Sequence, residues 1–168
     1  MTRYFLFLLL MIFFHSLSAQ EPMNPLHTPH EQDPFSSANY KDAIDHYSSL
    51  AELHPHLHIQ AFGLTDSGHP LHEVLLSTIE NPTPARVREA GHTILYINNA
   101  IHPGEPCGVD ASMQLARDLM IKPELKKLMD KTTIVIVPFY NISGGLNRGS
   151  YSRANQEGPK NYGFRGNI

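Results

Sequence analysis

The sequence predicts an α/β protein with a mixed, mainly parallel central sheet flanked by helices. Two continuous apolar runs rich in β-branched residues, 92–100 and 132–141, are separated by a helical segment, which is the pattern of a parallel crossover unit. Two shorter strand-like runs, 58–64 and 71–78, are joined by the turn-forming segment 65–70. The length of 168 residues allows one domain.

The N-terminal residues predict a signal peptide. Arg3 precedes an apolar run at 4–14, and small residues follow it, in the order typical of an export signal. The apolar run is too short for a stable transmembrane anchor. We expect residues 1–19 to be removed by cleavage before Gln20, or one residue earlier, which places the mature protein in the periplasm or outside the cell. An uncleaved anchor is the alternative.

A lead-in and one helix are expected before the first strands. Residues 20–38 are rich in proline and polar side chains without a period, so they predict an extended lead-in. Asn39 is a plausible N-cap, and apolar residues recur at helical spacing from Tyr40 to Leu53, just before Pro55. We assign residues 39–168 to the domain proper.

The run 92–100 is too continuously apolar for a half-exposed strand, so it predicts a central buried strand that ends near Asn99. His102 and Glu105 lie just beyond this end, and ligand sites in open α/β sheets collect at the carboxyl ends of strands. Helical patterns follow at 108–120 and 122–130.

The segment 142–168 predicts a long loop with little apolar periodicity. It is rich in Gly, Asn and Ser, and it carries Arg148, Arg153 and Arg165. Long loops inside compact domains are usually either functional or disordered. Because the segment ends without a stop signal, we expect the domain to be incomplete at its C-terminus.

Charge and cysteine content exclude several classes of protein. The formal net charge is −3 and there is no basic block, which argues against nucleic acid or an anionic membrane as the main partner. Cys107 is the single cysteine, so an intrachain disulfide is excluded. We expect Cys107 to be a small buried residue beside the 102–105 turn rather than a nucleophile.

The spacing of His102 and Glu105 indicates half of a metal site. An imidazole and a carboxylate are a common zinc pair, and Pro103 and Gly104 can fold the backbone tightly enough to bring them together. The alternative is a solvated turn. The histidines of "HPHLH", residues 54–58, are expected to form a polar edge rather than a second site.

The order of these segments resembles the zinc carboxypeptidase family. The helix ending "LAELHP", the hairpin "GLTDSGHPLHEVLLS", the segment "YINNAIHPGEP", the strand "TIVIVPFYN" and the arginine-bearing loop are similar to that family in the same order. The resemblance implies Zn²⁺ as cofactor, with His102 and Glu105 as its first two ligands. It also implies an arginine that stabilises the oxyanion: Arg153 in "YSRANQEGP", with Arg148 as rival and Arg165 as a third possibility.

The resemblance is partial. The family's Asn-Pro-Asp-Gly is replaced here by "NISGG", in which only Asn141 aligns. The family's third zinc ligand and general-base glutamate are expected beyond residue 168. The sequence therefore predicts the N-terminal part of an exported carboxypeptidase that acts on a peptide or protein and is inactive alone. A non-catalytic binding module and an amide-cleaving deacylase of the same superfamily remain the alternatives.

Overall fold

The computed structural model describes residues 26–151 and 159–166. A four-stranded sheet and a small two-stranded ribbon are accompanied by helices and one 3-10 segment, Lys127–Lys131. The strands are β1 Leu57–Leu64, β2 Pro70–Leu76, β3 Thr93–Asn98, β4 Thr132–Val137, β5 Arg148–Gly149 and β6 Tyr162–Gly163. The helices are α1 Pro29–Gln32, α2 Tyr40–Leu53, α3 Pro84–Glu89, α4 Cys107–Ile121, α5 Pro123–Lys126 and α6 Ile142–Leu146.

The main sheet has the strand order β1-β2-β4-β3, which confirms the expected mixed α/β class. Parallel pairing is limited to β3 with β4, while β1 with β2 and β2 with β4 are antiparallel. The sheet is thus not mainly parallel over the described residues. The hairpin reverses the chain between β1 and β2, whereas the crossover through α4 preserves the direction from β3 to β4.

The hydrophobic core lies between α2, α4 and one face of the sheet. Ile134 and Ile136 of β4 are buried with Val74 and Leu76 of β2, since alternate residues of paired strands share a face. Asn39 begins α2 as expected: its side chain accepts from the Asp42 N–H, and the Asp42 carboxylate accepts from the Asn39 N–H.

Strand β3 is an edge strand of the described sheet, so the prediction of a central buried strand is wrong. Ile94, Leu95 and Tyr96 are 53%, 46% and 57% exposed. The apolar run does form a strand, as predicted. Its composition, however, shows only that both of its faces can be buried. Whether another element covers them depends on tertiary packing, and none does so among the described residues.

Residues 26–38, the described part of the lead-in, are partly helical and well packed, in contrast to the extended segment that the sequence predicts. Thr28 caps α1 with a reciprocal bond to Glu31. The buried carboxylate of Asp110 in α4 accepts from the backbone N–H of Ala38 at 2.9 Å and of His30 at 3.3 Å. These contacts hold residues 28–38 against α4.

The signal peptide and its cleavage point lie outside the described residues. Among the residues that the structure does describe, no helix combines the length and apolar composition needed to cross a bilayer.

The segment 142–168 contains more regular structure than its composition predicts. Helix α6 follows β4 after the connecting residues 138–141, and β5 pairs with β6 through Arg148 with Gly163 and Gly149 with Tyr162. Helix α3 is a second element that the sequence did not predict. Both helices are only five or six residues long, too short for a helical period to be recognised.

Candidate metal centre

The chain leaving β3 is bonded to the chain leaving β4. The N–H of Asn99 donates to the Val137 carbonyl at 3.1 Å, and the N–H of Tyr140 donates to the Asn99 carbonyl at 2.9 Å. Between these bonds and the turn at residues 102–105, named the metal turn below because it carries the two candidate ligands, Ala100 adopts a left-handed backbone with φ 51°. Such a conformation is costly for a residue with a Cβ and persists where the surroundings enforce it.

His102 and Glu105 converge on one locus beyond the end of β3. The N–H of Glu105 donates to the His102 carbonyl at 2.9 Å and closes a tight turn through Pro103 and Gly104, both of which are buried. The His102 Nδ1 and Glu105 Oε2 atoms lie 3.9 Å apart, with side chains 37% and 43% exposed. The two side chains therefore face each other at the protein surface, on a turn whose centre is packed.

This donor pair fits a zinc ion. Zinc takes imidazole nitrogen and carboxylate oxygen at about 2.0–2.2 Å, so two tetrahedral ligands lie roughly 3.4 Å apart. The observed separation of 3.9 Å is within a small side-chain adjustment of that value. Within residues 26–151 and 159–166, however, no group of three or more His, Cys, Asp or Glu side chains could hold a metal. Among the described residues, His102 and Glu105 thus remain a pair of candidate ligands.

A polar contact joins the start of α4 to the end of β3, next to the metal turn. The Asn99 amide donates to the Ser112 hydroxyl, and that hydroxyl donates to the Gly108 carbonyl. Both side chains are buried, so the first turn of α4 is fixed relative to the end of β3. Sequence reasoning missed Asn99 and Ser112, because their pairing depends on the way α4 returns across the strand.

The positively charged guanidinium group of Arg165 lies at the metal turn. Its Nη1 atom lies 3.4 Å from the Glu105 Oε1 atom. The N–H of Gly163, two residues earlier, donates to the Pro103 carbonyl at 3.1 Å. A Cβ on Gly163 would stand 2.5 Å from the Pro103 Cβ, so β6 lies directly on the turn.

Arg148 is engaged elsewhere. Its guanidinium donates to the Ser37 and Ala38 carbonyls, the Ser37 hydroxyl and the Asn161 carbonyl, at 2.6–3.4 Å. Burial lowers the pKa of Arg148 below its usual value. These contacts tie the lead-in to the chain entering β6. Arg153, the preferred candidate from the sequence, lies outside the described residues.

The exposure of Cys107 differs from the prediction. Cys107 is exposed, so the expectation of a buried residue is wrong. As the first residue of α4, it opens onto a cavity of about 600 Å³ that Glu105, Asp110 and the lead-in also line. Burial raises the pKa of Asp110 above its usual 3.8, against the lowering effect of the backbone donors of Ala38 and His30.

A zinc carboxypeptidase family profile matches residues 44–163, which include the metal turn and most of the domain. The chain belongs to the zinc carboxypeptidase family. The resemblance that the sequence motifs carry is thereby confirmed, and so is the assignment to a family of peptidases.

Solved carboxypeptidases share the fold of this zinc carboxypeptidase chain. A putative carboxypeptidase A from Shewanella denitrificans is 26% identical with a TM-score of 0.53, over 67% of this chain and 27% of that one. Carboxypeptidase A from Helicoverpa armigera is 17% identical with a TM-score of 0.57, over 67% and 26%. A metallo-carboxypeptidase from Burkholderia cenocepacia is 24% identical with a TM-score of 0.54, over 66% and 29%.

The chain therefore spans between a quarter and a third of the length of these structures. Among curated protein sequences, no significant match to this zinc carboxypeptidase chain was found.

Proposed function

We propose that this chain supplies the first two zinc ligands, His102 and Glu105, of an exported zinc-dependent carboxypeptidase that removes residues from the C-terminus of peptides. The observation that carries the proposal is the 3.9 Å separation of the His102 and Glu105 donor atoms on a packed turn at the end of β3. The family match over residues 44–163 supports the same chemistry. Zinc, when bound, would acidify a water molecule and polarise a carbonyl.

The described residues have two tasks in this proposal. The imidazole and carboxylate fix the position of the cation, and the backbone bond between them holds their spacing. A guanidinium beside them would stabilise the negative charge that develops on the scissile carbonyl oxygen. Arg165 suits this task by its contact with Glu105 at 3.4 Å. Arg153 remains the candidate that the sequence gives for stabilising the oxyanion. The guanidinium of Arg148 instead donates to main-chain carbonyls.

We further propose that the 168-residue polypeptide has no peptidase activity alone. Among the described residues no group of three or more side chains could hold a metal, so His102 and Glu105 would act as a pair. The resemblance to the family implies that a third ligand and a general base come from elsewhere in the complete domain. The limited share of the neighbours' length that the chain spans supports this view. Zinc bound by two protein ligands would be held weakly.

Zinc titration of the purified chain by calorimetry tests the ligand assignment. His102→Ala and Glu105→Ala are each expected to weaken zinc binding by about tenfold or more, because each removes one of two ligands. His56→Ala is the matched control, since it removes a half-buried imidazole from the histidine-rich segment 54–58. Loss of zinc binding in His56→Ala but not in His102→Ala would move the site to that segment.

The arginine assignment is tested in the longer protein of which this chain would be part. Arg165→Ala is expected to lower kcat by about a hundredfold with unchanged zinc content, because its charge acts on the transition state. Arg153→Ala and Arg148→Ala, measured in parallel, show which cation has this effect. Normal turnover in Arg165→Ala, together with a loss in Arg153→Ala, would return the role to Arg153.

A further inference from the structure

Asn141 joins three segments that meet at the metal turn. It follows β4 and caps α6, where its Oδ1 atom accepts from the Gly144 N–H at 3.0 Å. Its own N–H donates to the Ala100 carbonyl at 3.1 Å, two residues before His102. Its Nδ2 atom donates to the Gly166 carbonyl at 3.1 Å, with the Arg165 carbonyl at 3.5 Å.

The fit around Asn141 is close. A Cβ on Gly144 would stand 2.4 Å from the Gly166 carbonyl oxygen and 2.8 Å from that of Phe164. The N–H of Phe164 donates to the Gly144 carbonyl at 2.8 Å. The segment 162–166 thus lies directly on the backbone of α6. There the side-chain amide of Asn141 donates to the carbonyls of residues 165 and 166.

The chemistry of the amide explains the residue type. Asn, Asp, Ser and Thr all cap helices with a side-chain oxygen. Ionised Asp has no donor, and Ser and Thr carry donor and acceptor on one hydroxyl oxygen, whereas Asn accepts with its oxygen and donates through a separate NH₂ group. Asn141 uses both capacities, with Gly144 on one side and Gly166 on the other.

These bonds bracket Arg165. On its N-terminal side the Gly163 N–H is bonded to the Pro103 carbonyl, and on its C-terminal side the Gly166 carbonyl is bonded to Asn141. Between them the Arg165 guanidinium lies 3.4 Å from Glu105. We propose that Asn141 is a positioning residue that holds Arg165 at the metal turn. This inference rests on the proposed function, because it gives Arg165 a position that matters for catalysis.

Asn141→Asp tests the inference because it keeps the cap and removes the donor. Amide hydrogen exchange of the full chain is expected to become about fivefold faster or more at Gly163 and Phe164, since the segment loses a partly buried hydrogen bond. Exchange at Gly144 should not change. Asn147→Asp is the control: it makes the same change at the other end of α6, where the residue is exposed.

A signal from Arg165 itself separates positioning from a general role in stability. In ¹⁵N NMR spectra, the Arg165 Nε–H resonance, assigned with Arg165→Lys, is expected to sharpen towards the signals of freely exposed arginines in Asn141→Asp. Asn141→Ser, which caps without adding charge, serves if Asn141→Asp fails to fold. Unchanged exchange at Gly163 and Phe164, or an unchanged Arg165 signal, would overturn the inference.

Neither measurement requires zinc, so the inference and the proposed function can fail separately. If the chain binds no zinc yet Asn141→Asp frees Arg165, the positioning role stands and the metal assignment falls. If zinc binds through His102 and Glu105 yet Asn141→Asp leaves Arg165 as it was, the positioning role is refuted.

Discussion

Replacing Gly163 with alanine is expected to lift β6 from the metal turn. The added Cβ would stand 2.5 Å from the Pro103 Cβ, 3.0 Å from the Pro103 oxygen and 3.1 Å from the Gly144 oxygen. Carbon atoms pack best at about 3.5–4.0 Å, so the overlap with Pro103 is roughly 1 Å. A rigid ring and two backbone carbonyls cannot move aside as a flexible side chain would. We expect a loss of about 1–3 kcal/mol in the free energy of unfolding.

Urea unfolding measures this loss directly. With a slope of about 1–3 kcal/mol per molar urea, the midpoint should fall by roughly 0.5–2 M. Zinc affinity should fall by about tenfold, because the Gly163–Pro103 bond supports the turn that carries both ligands. Gly63→Ala is the matched control: Gly63 lies in β1 with no atom within 4 Å of an added Cβ. If Gly163→Ala matched Gly63→Ala in both measurements, β6 would not pack on Pro103.

Two other predictions concern stability and association. Arg117 holds the pKa of Glu31 at about 2, below its usual 4.5, so this pair stabilises the fold above pH 4.5 and the contribution is lost as the pH falls towards 2. Glu31→Gln should cost about 1–2 kcal/mol in urea unfolding at pH 7, after allowance for screening, and only a small part of that at pH 2, where the carboxylate is about half protonated; an equal cost at both pH values would contradict this. An exposed apolar edge strand favours self-association, so Ile94→Lys on β3 should reduce self-association measured by sedimentation. Ile121→Lys, on α4 at 48% exposure against 53% for Ile94, should not. Equal effects of the two substitutions would remove any special role of the β3 edge.

Local signals in the sequence explain why much of the fold could be predicted. Asn39 fixes the start of α2 because an N-cap needs only its own side chain and the next three residues. The hairpin turn and the strands follow from alternation and turn chemistry within ten residues or fewer. The metal turn is similarly local, since Pro103 and Gly104 place His102 and Glu105 on the same side of one backbone turn.

The exposure of β3, by contrast, could not be predicted from its composition. An apolar strand is equally compatible with a central or an edge position, because the neighbour on each side comes from elsewhere in the chain. The same limit applies to Arg165. Its contact with Glu105 spans sixty residues, and among three arginines in one loop the sequence offers no distance to a ligand.

The sequence by itself determined the family, the order of β1 to β4 with α2 and α4 along the chain, and the two metal-ligand candidates, because each depends on residues that are close in sequence. Tertiary structure alone decided that Arg148 donates to the lead-in and that Arg165 lies at Glu105. It also decided that Asn141 joins the metal turn to the segment 162–166. The physical reason is that these bonds form between segments brought together by packing, and hydrogen-bonding groups far apart in sequence carry no local pattern that reveals their partners.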